Sequence, residues 1–258
     1  MSETAGRMMP SAYSERLDRA LALAAAVHEI QVRKGTAIPY IIHPYQVALI
    51  LDRHGWAEDV VIAGALHDVL EDARCEQPGF RERLRAVCPG LAGAPEDERG
   101  FRRALGRHIG EVFGPSVLAF VSHVTEDKTT EEGQRRPWKT RKREQLEVVR
   151  EAGREVAALK AADVVHNAQS IARDLRAVGS SAMARFNATP DEVLWHYRSM
   201  TELVGTALGA DDPLAQELGN VVADFEDALR GARHAGSLTA PPGRTESPAS
   251  TGIPGRIR

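Results

Sequence analysis

Along most of this chain apolar residues recur every three or four positions, and strand-like alternation is scarce. "SERLDRALALAAAVHEIQV" opens on Ser14, a predicted N-cap, and continues with helical periodicity. "RKGTAIPYIIHP" reads as a loop, with Gly35 and Pro39 as punctuation. Pro44 suits the first position of a helix running to about His54, where Gly55 stops it. "AEDVVIAGALHDVLEDA" predicts a single third helix, and "EVFGPSVLAFVSHVT" one or two more. "REVAALKAADVVHNAQSIARDL" is a long, well-marked helix. "TPDEVLWHYRSMTELVGTAL" begins on the cap Thr189-Pro190-Asp191, and "DPLAQELGNVVADFEDALRG" predicts the last helix. The expected fold class is all-α.

Two regions depart from this pattern. Residues 73–110 are rich in Arg, Glu, Gly and Pro, which predicts a charged insertion with a short helix on each side. The stretch 233–258 is rich in Pro, Gly, Ser and Thr and reads as a disordered tail. With a flexible start at 1–12, this leaves one domain over 13–232. No internal repeat is visible.

Composition narrows the function classes. The 258 residues suffice for one large domain or two small ones, and a net charge of −3 provides no broad basic field for nucleic acid. Cys75 and Cys88 lack the CxxC spacing of a zinc or redox site. The first residues carry no apolar signal-peptide core, and no apolar run approaches a membrane span. A cytoplasmic protein without a membrane or nucleic-acid partner is expected; its oligomeric state is not readable.

The chemistry concentrates in "AGALHDVLEDA". On one helix, His67, Asp68, Glu71 and Asp72 project into one sector, and Gly64, a turn earlier, leaves room there. Clustered acids repel, burial raises their pKa values, and a divalent cation offsets both effects. A His–carboxylate set suits Mn, Fe, Zn or Mg. The bland alternative is a structural histidine beside a solvated acid. His43, between prolines in "PYIIHP", reads alone as a core or capping histidine. Asp163 lies mid-helix with apolar flanks, shares a stripe with Asn167 and Ser170, and adjoins His166. Such an aspartate needs a partner, either a metal or a cation such as Lys160.

The order His43, His67-Asp68, Asp163 resembles that of the HD metal-dependent phosphohydrolases. "QVRKGTAIPYIIHPYQVALIL", "AGALHDVLEDA", "FGPSVLAFVSHVTEDK" and "LKAADVVHNAQSI" are similar to the hydrolase domain of RelA/SpoT-type proteins, in the same order. The resemblance implies an α-helical bundle in which His43, His67, Asp68 and Asp163 bind one divalent metal between helices. Mn2+ is the first candidate, with Zn2+, Fe2+ and Mg2+ as alternatives. It implies a catalytic pair, Glu71 and Asp72, that handles the attacking water. It also implies substrate contacts from Arg33, Lys34 and Asn167, and from Ser170 where relatives often carry Thr. Lys128, Arg141 and Lys142 are similar to basic residues that hold phosphates in small alarmone hydrolases. The implied reaction removes pyrophosphate from the ribose 3′ position of ppGpp or pppGpp, in a stand-alone hydrolase without a synthetase domain. Ser170 and the 73–110 insertion keep other readings open. These are an adenosine alarmone, the 2′-phosphate of NADPH, or a nucleotide-binding module without catalysis.

Overall fold

The Ser14 hydroxyl accepts a hydrogen bond from the Leu17 amide at 3.1 Å and opens α1, Glu15–His28. The computed structural model describes residues 14–238 apart from 76, 131 and 132. The next elements are α2 (Ile42–Arg53), α3 (Glu58–Leu66), α4 (Val69–Asp72), α5 (Phe80–Val87) and α6 (Glu98–Phe113). They are followed by α7 (Pro115–Val124), α8 (Trp138–Glu151), α9 (Arg154–Val178), α10 (Pro190–Leu208) and α11 (Pro213–Leu238). Strand pairing among the described residues is confined to two isolated bridges, Val32–Pro39 and Thr129–Arg135. The fold class is all-α, as the periodicity predicts. No helix among the described residues is long and apolar enough to cross a membrane.

The organising element is α9. It packs against α2, α3, α10 and α11. Its buried residues include Ala157, Ala158, Ala161, Ala162, Ala168 and Ala172, small side chains that let neighbouring helices approach closely. At α10 the expected cap forms a full capping box. Thr189 accepts from the Glu192 amide, and Glu192 accepts from the Thr189 amide.

Three expectations need correction. First, α2 begins at Ile42, so Pro44 occupies its third position and His43 lies inside the first turn. First-turn amides have no intrahelical partner, so proline there sacrifices no hydrogen bond. Second, the predicted third helix is two helices, α3 and α4, interrupted at His67-Asp68. The His67 Nδ1–H donates to the Gly64 carbonyl at 2.8 Å, taking the acceptor that would serve the next amide of a continuous helix. Third, Gly64 does not leave room at the site. A Cβ there would lie 2.7 Å from Leu51 Cδ1 and 3.3 Å from the Ala48 backbone, so this glycine permits close packing of α3 on α2.

Residues 73–110, expected as a charged insertion with a short helix on each side, contribute α5 and α6 to the core. Phe101, Leu105, Ile109 and Phe113 recur every fourth residue of α6 and are buried, while Arg103 and Arg107 face outward. Phe80 of α5 meets Phe101 with ring centroids 5.6 Å apart. The charges mask an amphipathic pattern. At the C-terminal end α11 continues to Leu238, past the expected boundary at 232. The remaining expected tail and the expected flexible start lie outside the described residues.

Candidate metal centre and adjoining cavity

Three helical segments converge on one point. The first turn of α2 contributes His43, the α3–α4 break His67 and Asp68, and the middle of α9 Asp163. One ligand-capable atom from each of His43, His67 and Asp163 lies within 4.8 Å of the others. Asp68 Oδ2 is 3.1 Å from His67 Nε2 and 3.7 Å from His43 Nε2. Asp163 Oδ1 is 3.2 Å from His43 Nε2.

The donor set fits a divalent cation. With Nδ1–H committed to Gly64, His67 aims Nε2 inward, and loss of the Nε2 proton to an incoming cation would leave a lone pair there. That Nε2 is buried and has no aligned hydrogen-bond partner, despite its 3.1 Å approach to Asp68. A buried ring nitrogen without an aligned partner, beside a second imidazole and two carboxylates, is a donor set that suits one divalent cation. Both carboxylates are oriented from behind. The Tyr40 hydroxyl donates to Asp68 Oδ2 at 2.6 Å. Lys160 Nζ donates to Asp163 Oδ2 at 2.6 Å, and Asn167 Nδ2 to Asp163 Oδ1 at 2.6 Å. The Lys160 pairing weighed as an alternative for Asp163 is therefore present together with the cluster.

Charges within the cluster shift its titrations. Burial lowers His67, but the adjacent Asp68 carboxylate outweighs it and raises the imidazole to about 9. Burial also acts on Asp68 and Asp163, pushing them up. His67 beside Asp68, and Lys160 beside Asp163, reverse this and hold both carboxylates below their usual range. Burial keeps His43 low. Burial and the Asp68 charge raise the Tyr40 hydroxyl well above its ordinary value, so it remains a donor.

Glu71 and Asp72 stand beside this cluster, joined by Lys128. Its Nζ is 2.8 Å from Glu71 Oε1 and 2.8 Å from Asp72 Oδ1. The Glu126 amide donates to Glu71 Oε2 at 3.1 Å, and Gln31 Nε2 donates to Asp72 Oδ2 at 2.9 Å. Burial, followed by the Asp68 charge, raises Glu71 above the usual glutamate value. Arg141 and Lys142 both pair with the Glu126 carboxylate. Thus Lys128 bridges the carboxylate pair and Arg141 pairs with Glu126. Neither lines the cavity described next.

A cavity of about 550 Å³ opens beside Asp163. Arg33, Lys34, Lys142, Asn167 and Ser170 all line it. Arg33 Nη2 donates to Asn167 Oδ1 at 2.9 Å, which links the cavity wall through Asn167 to Asp163. Aromatic groups share the wall: Tyr40, Trp138, Phe186 and Tyr197. So do Arg173, Arg185 and His166. Sequence reasoning missed Tyr40, Gln31 and Glu126 as partners of the polar groups, and Trp138, Arg185 and Tyr197 as cavity wall. Tyr40 and His166 fall inside the quoted motifs, so a signal for them existed. Gln31 and Glu126 also fall inside quoted motifs, whereas Trp138, Arg185 and Tyr197 reach the cavity through packing between distant segments.

Comparison with known proteins matches this geometry. Residues 20–186, well over half of the chain, match the HD domain family. A guanosine-3′,5′-bis(diphosphate) 3′-pyrophosphohydrolase of Aquifex aeolicus is 42% identical over 72 residues, 28% of this chain and 10% of that protein. The enzyme of the same description from Borreliella burgdorferi is 38% identical over 77 residues, 28% of this chain and 11% of that protein. The matches thus span about a tenth of the length of these curated relatives. Among solved structures, lmo0812 from Listeria monocytogenes EGD-e superposes with a TM-score of 0.52 at 27% identity, covering 71% of this chain and 99% of that one. A metazoan SpoT ortholog, described as hydrolysing ppGpp, shares the fold with a TM-score of 0.50 at 23% identity, covering 88% of this chain and 99% of that one. Helical architecture, the His/Asp cluster able to hold a divalent metal, and the extent of the match lead to one assignment: the chain belongs to the HD domain family.

Proposed function

We propose that this protein is a metal-dependent 3′-pyrophosphohydrolase of guanosine alarmones, converting ppGpp or pppGpp to GDP or GTP and pyrophosphate. The observation that carries the reading is one juxtaposition. The His/Asp cluster adjoins both a half-buried carboxylate pair and a cavity lined by cationic and aromatic side chains. The names of the two curated relatives support the substrate class.

His43, His67, Asp68 and Asp163 would hold the ion, with Mn2+ the first choice and Zn2+, Fe2+ or Mg2+ compatible with the same donors. When bound, a divalent ion supplies Lewis-acid polarisation of a phosphoryl oxygen and a lowered pKa for water. The remaining steps belong to side chains. Arg33 presents a planar guanidinium suited to a purine face or a phosphate, and Lys34 and Lys142 add positive charge. Asn167 and Ser170 offer hydrogen bonds to the nucleoside. Glu71, whose carboxyl is raised by burial and by Asp68, takes the proton of the attacking water. Asp72, held by Gln31 and Lys128, keeps Lys128 beside Glu71. Lys128 also limits the build-up of negative charge as the 3′-oxygen leaves, and the proton taken up by Glu71 passes to that oxygen to complete the product hydroxyl.

A substrate panel tests this reading. With Mn2+, ppGpp is expected to yield GDP and pyrophosphate faster than ppApp or NADPH react. Orthophosphate released from NADPH as the fastest reaction would instead make the protein a phosphomonoesterase. Binding of all three nucleotides with no turnover would make it a binding module.

A further inference from the structure

Each histidine of the cluster needs an acceptor for the ring N–H that faces away from the ion. For His67 the acceptor is the Gly64 carbonyl. For His43 it is another histidine. His43 Nδ1 lies 2.7 Å from His166 Nδ1, and the two rings meet edge to edge, with centroids 5.0 Å apart and planes inclined at 27°. Two ring nitrogens at this distance share one proton, so one donates and the other accepts. His43 Nε2 is the atom that faces Asp163 and Asp68. If Nε2 ligates, it carries the lone pair, and the His43 proton resides on Nδ1. His166 Nδ1 must then accept. An imidazole that accepts at Nδ1 carries its own proton on Nε2. His166 lines the cavity, as do Arg33 and Arg173, and no other hydrogen bond holds its ring among the described residues.

We propose that His166 is a two-sided positioning residue: its Nδ1 lone pair locks His43 in the ligating tautomer, and its Nε2–H is a donor to an anionic oxygen of the nucleotide in the cavity. The flanking guanidiniums of Arg33 and Arg173 favour a phosphate oxygen as that acceptor. A backbone carbonyl, as at His67, would serve the first purpose only. The histidine adds the second, so occupation by the ion sets which atom the cavity wall offers to the substrate. This inference rests on the proposed function for its ligand, but not for its tautomer.

The test combines two substitutions with a measurement on the unmodified protein. His166→Asn places an amide oxygen near the Nδ1 position and removes the cavity N–H, whereas His166→Phe removes both. His166→Phe is expected to weaken Mn2+ binding in equilibrium dialysis by roughly 10–100-fold, and His166→Asn by no more than about threefold. His166→Asn is expected to weaken binding of pyrophosphate and GDP to the Mn2+-loaded protein. In the Zn2+-loaded wild type, imidazole 15N–1H correlations should place the His166 proton on Nε2. Wild-type Mn2+ affinity in His166→Phe, or a His166 proton on Nδ1, would overturn the tautomer lock. Unchanged pyrophosphate and GDP binding in His166→Asn would overturn the donor role. Failure of the wild type to hydrolyse ppGpp would instead count against the substrate reading, and the Mn2+ and NMR measurements would still decide the tautomer.

Discussion

His67 concentrates the logic of the site in one side chain. Its Nδ1 is committed to Gly64, and its Nε2 sits against Asp68 with no aligned partner. In the metal-free protein Asp68 outweighs burial and keeps this imidazole protonated up to about 9. A folded-state value above the ordinary one stabilises the metal-free fold. That contribution is complete below the unfolded pKa near 6.5 and is lost as pH rises through about 9. An incoming cation must displace the same proton. Apparent metal affinity should therefore climb by about tenfold per pH unit from near neutrality and level off around 9. Calorimetry in buffers of different ionisation enthalpy would register the released proton. Affinity independent of pH between 6.5 and 8.5 would contradict this account of His67. Glu71 gives a second residue-scale prediction. Glu71→Gln should lower kcat by about 10²–10⁴-fold. Its metal affinity should stay at the wild-type level, because the glutamate is not among the cluster's donors. Parallel loss of metal binding would show that Glu71 acts through the ion.

At the scale of elements, α9 both builds the core and carries charge into it. Lys160 and Asp163 are successive inward positions on its buried face, and Lys160 is only 4% exposed. Asp163 was legible as a candidate because an aspartate amid alanines and valines needs a partner. That it has several partners at once was not legible. Lys160 and Asn167 lie one turn away on the same helix, whereas His43 lies on α2. Lys160→Met should destabilise the metal-free protein by about 3–5 kcal/mol, since it removes the cation from a largely enclosed carboxylate, and Mn2+ should restore part of the loss. Urea unfolding with and without Mn2+ measures both effects. A loss below about 1 kcal/mol would mean that Asp163 does not depend on its lysine. The break between α3 and α4 was hidden for a related reason. Periodicity sees apolar spacing, and "GALHDVLED" keeps helical spacing throughout. The interruption comes from a side chain competing for a backbone carbonyl.

At the scale of the whole molecule, segments far apart in sequence meet around one point. Local patterns made the helices, the caps and most of the polar cluster readable. Residue types such as paired histidine and aspartate announce themselves wherever they stand. The contacts that orient them did not, because they span long separations: Tyr40 to Asp68, Lys128 to Asp72, and His43 to His166. The same limit explains residues 73–110. Their charge density reads as an insertion, and α5 packs on α1 and α6 on α7, inside the same core that supports the site. The cavity wall likewise draws on α2, α8, α9, α10 and the segment ending at Phe186. A molecule assembled this way should direct water to phosphorus, because the carboxylate pair and the cationic cavity wall both adjoin the cluster. The most direct test is to incubate the Mn2+-loaded protein with ppGpp in 18O-labelled water and weigh the products by mass spectrometry. The account predicts one labelled oxygen in pyrophosphate and unlabelled GDP, with both products absent after chelation. Label in the GDP ribose, orthophosphate in place of pyrophosphate, or no metal dependence would contradict it.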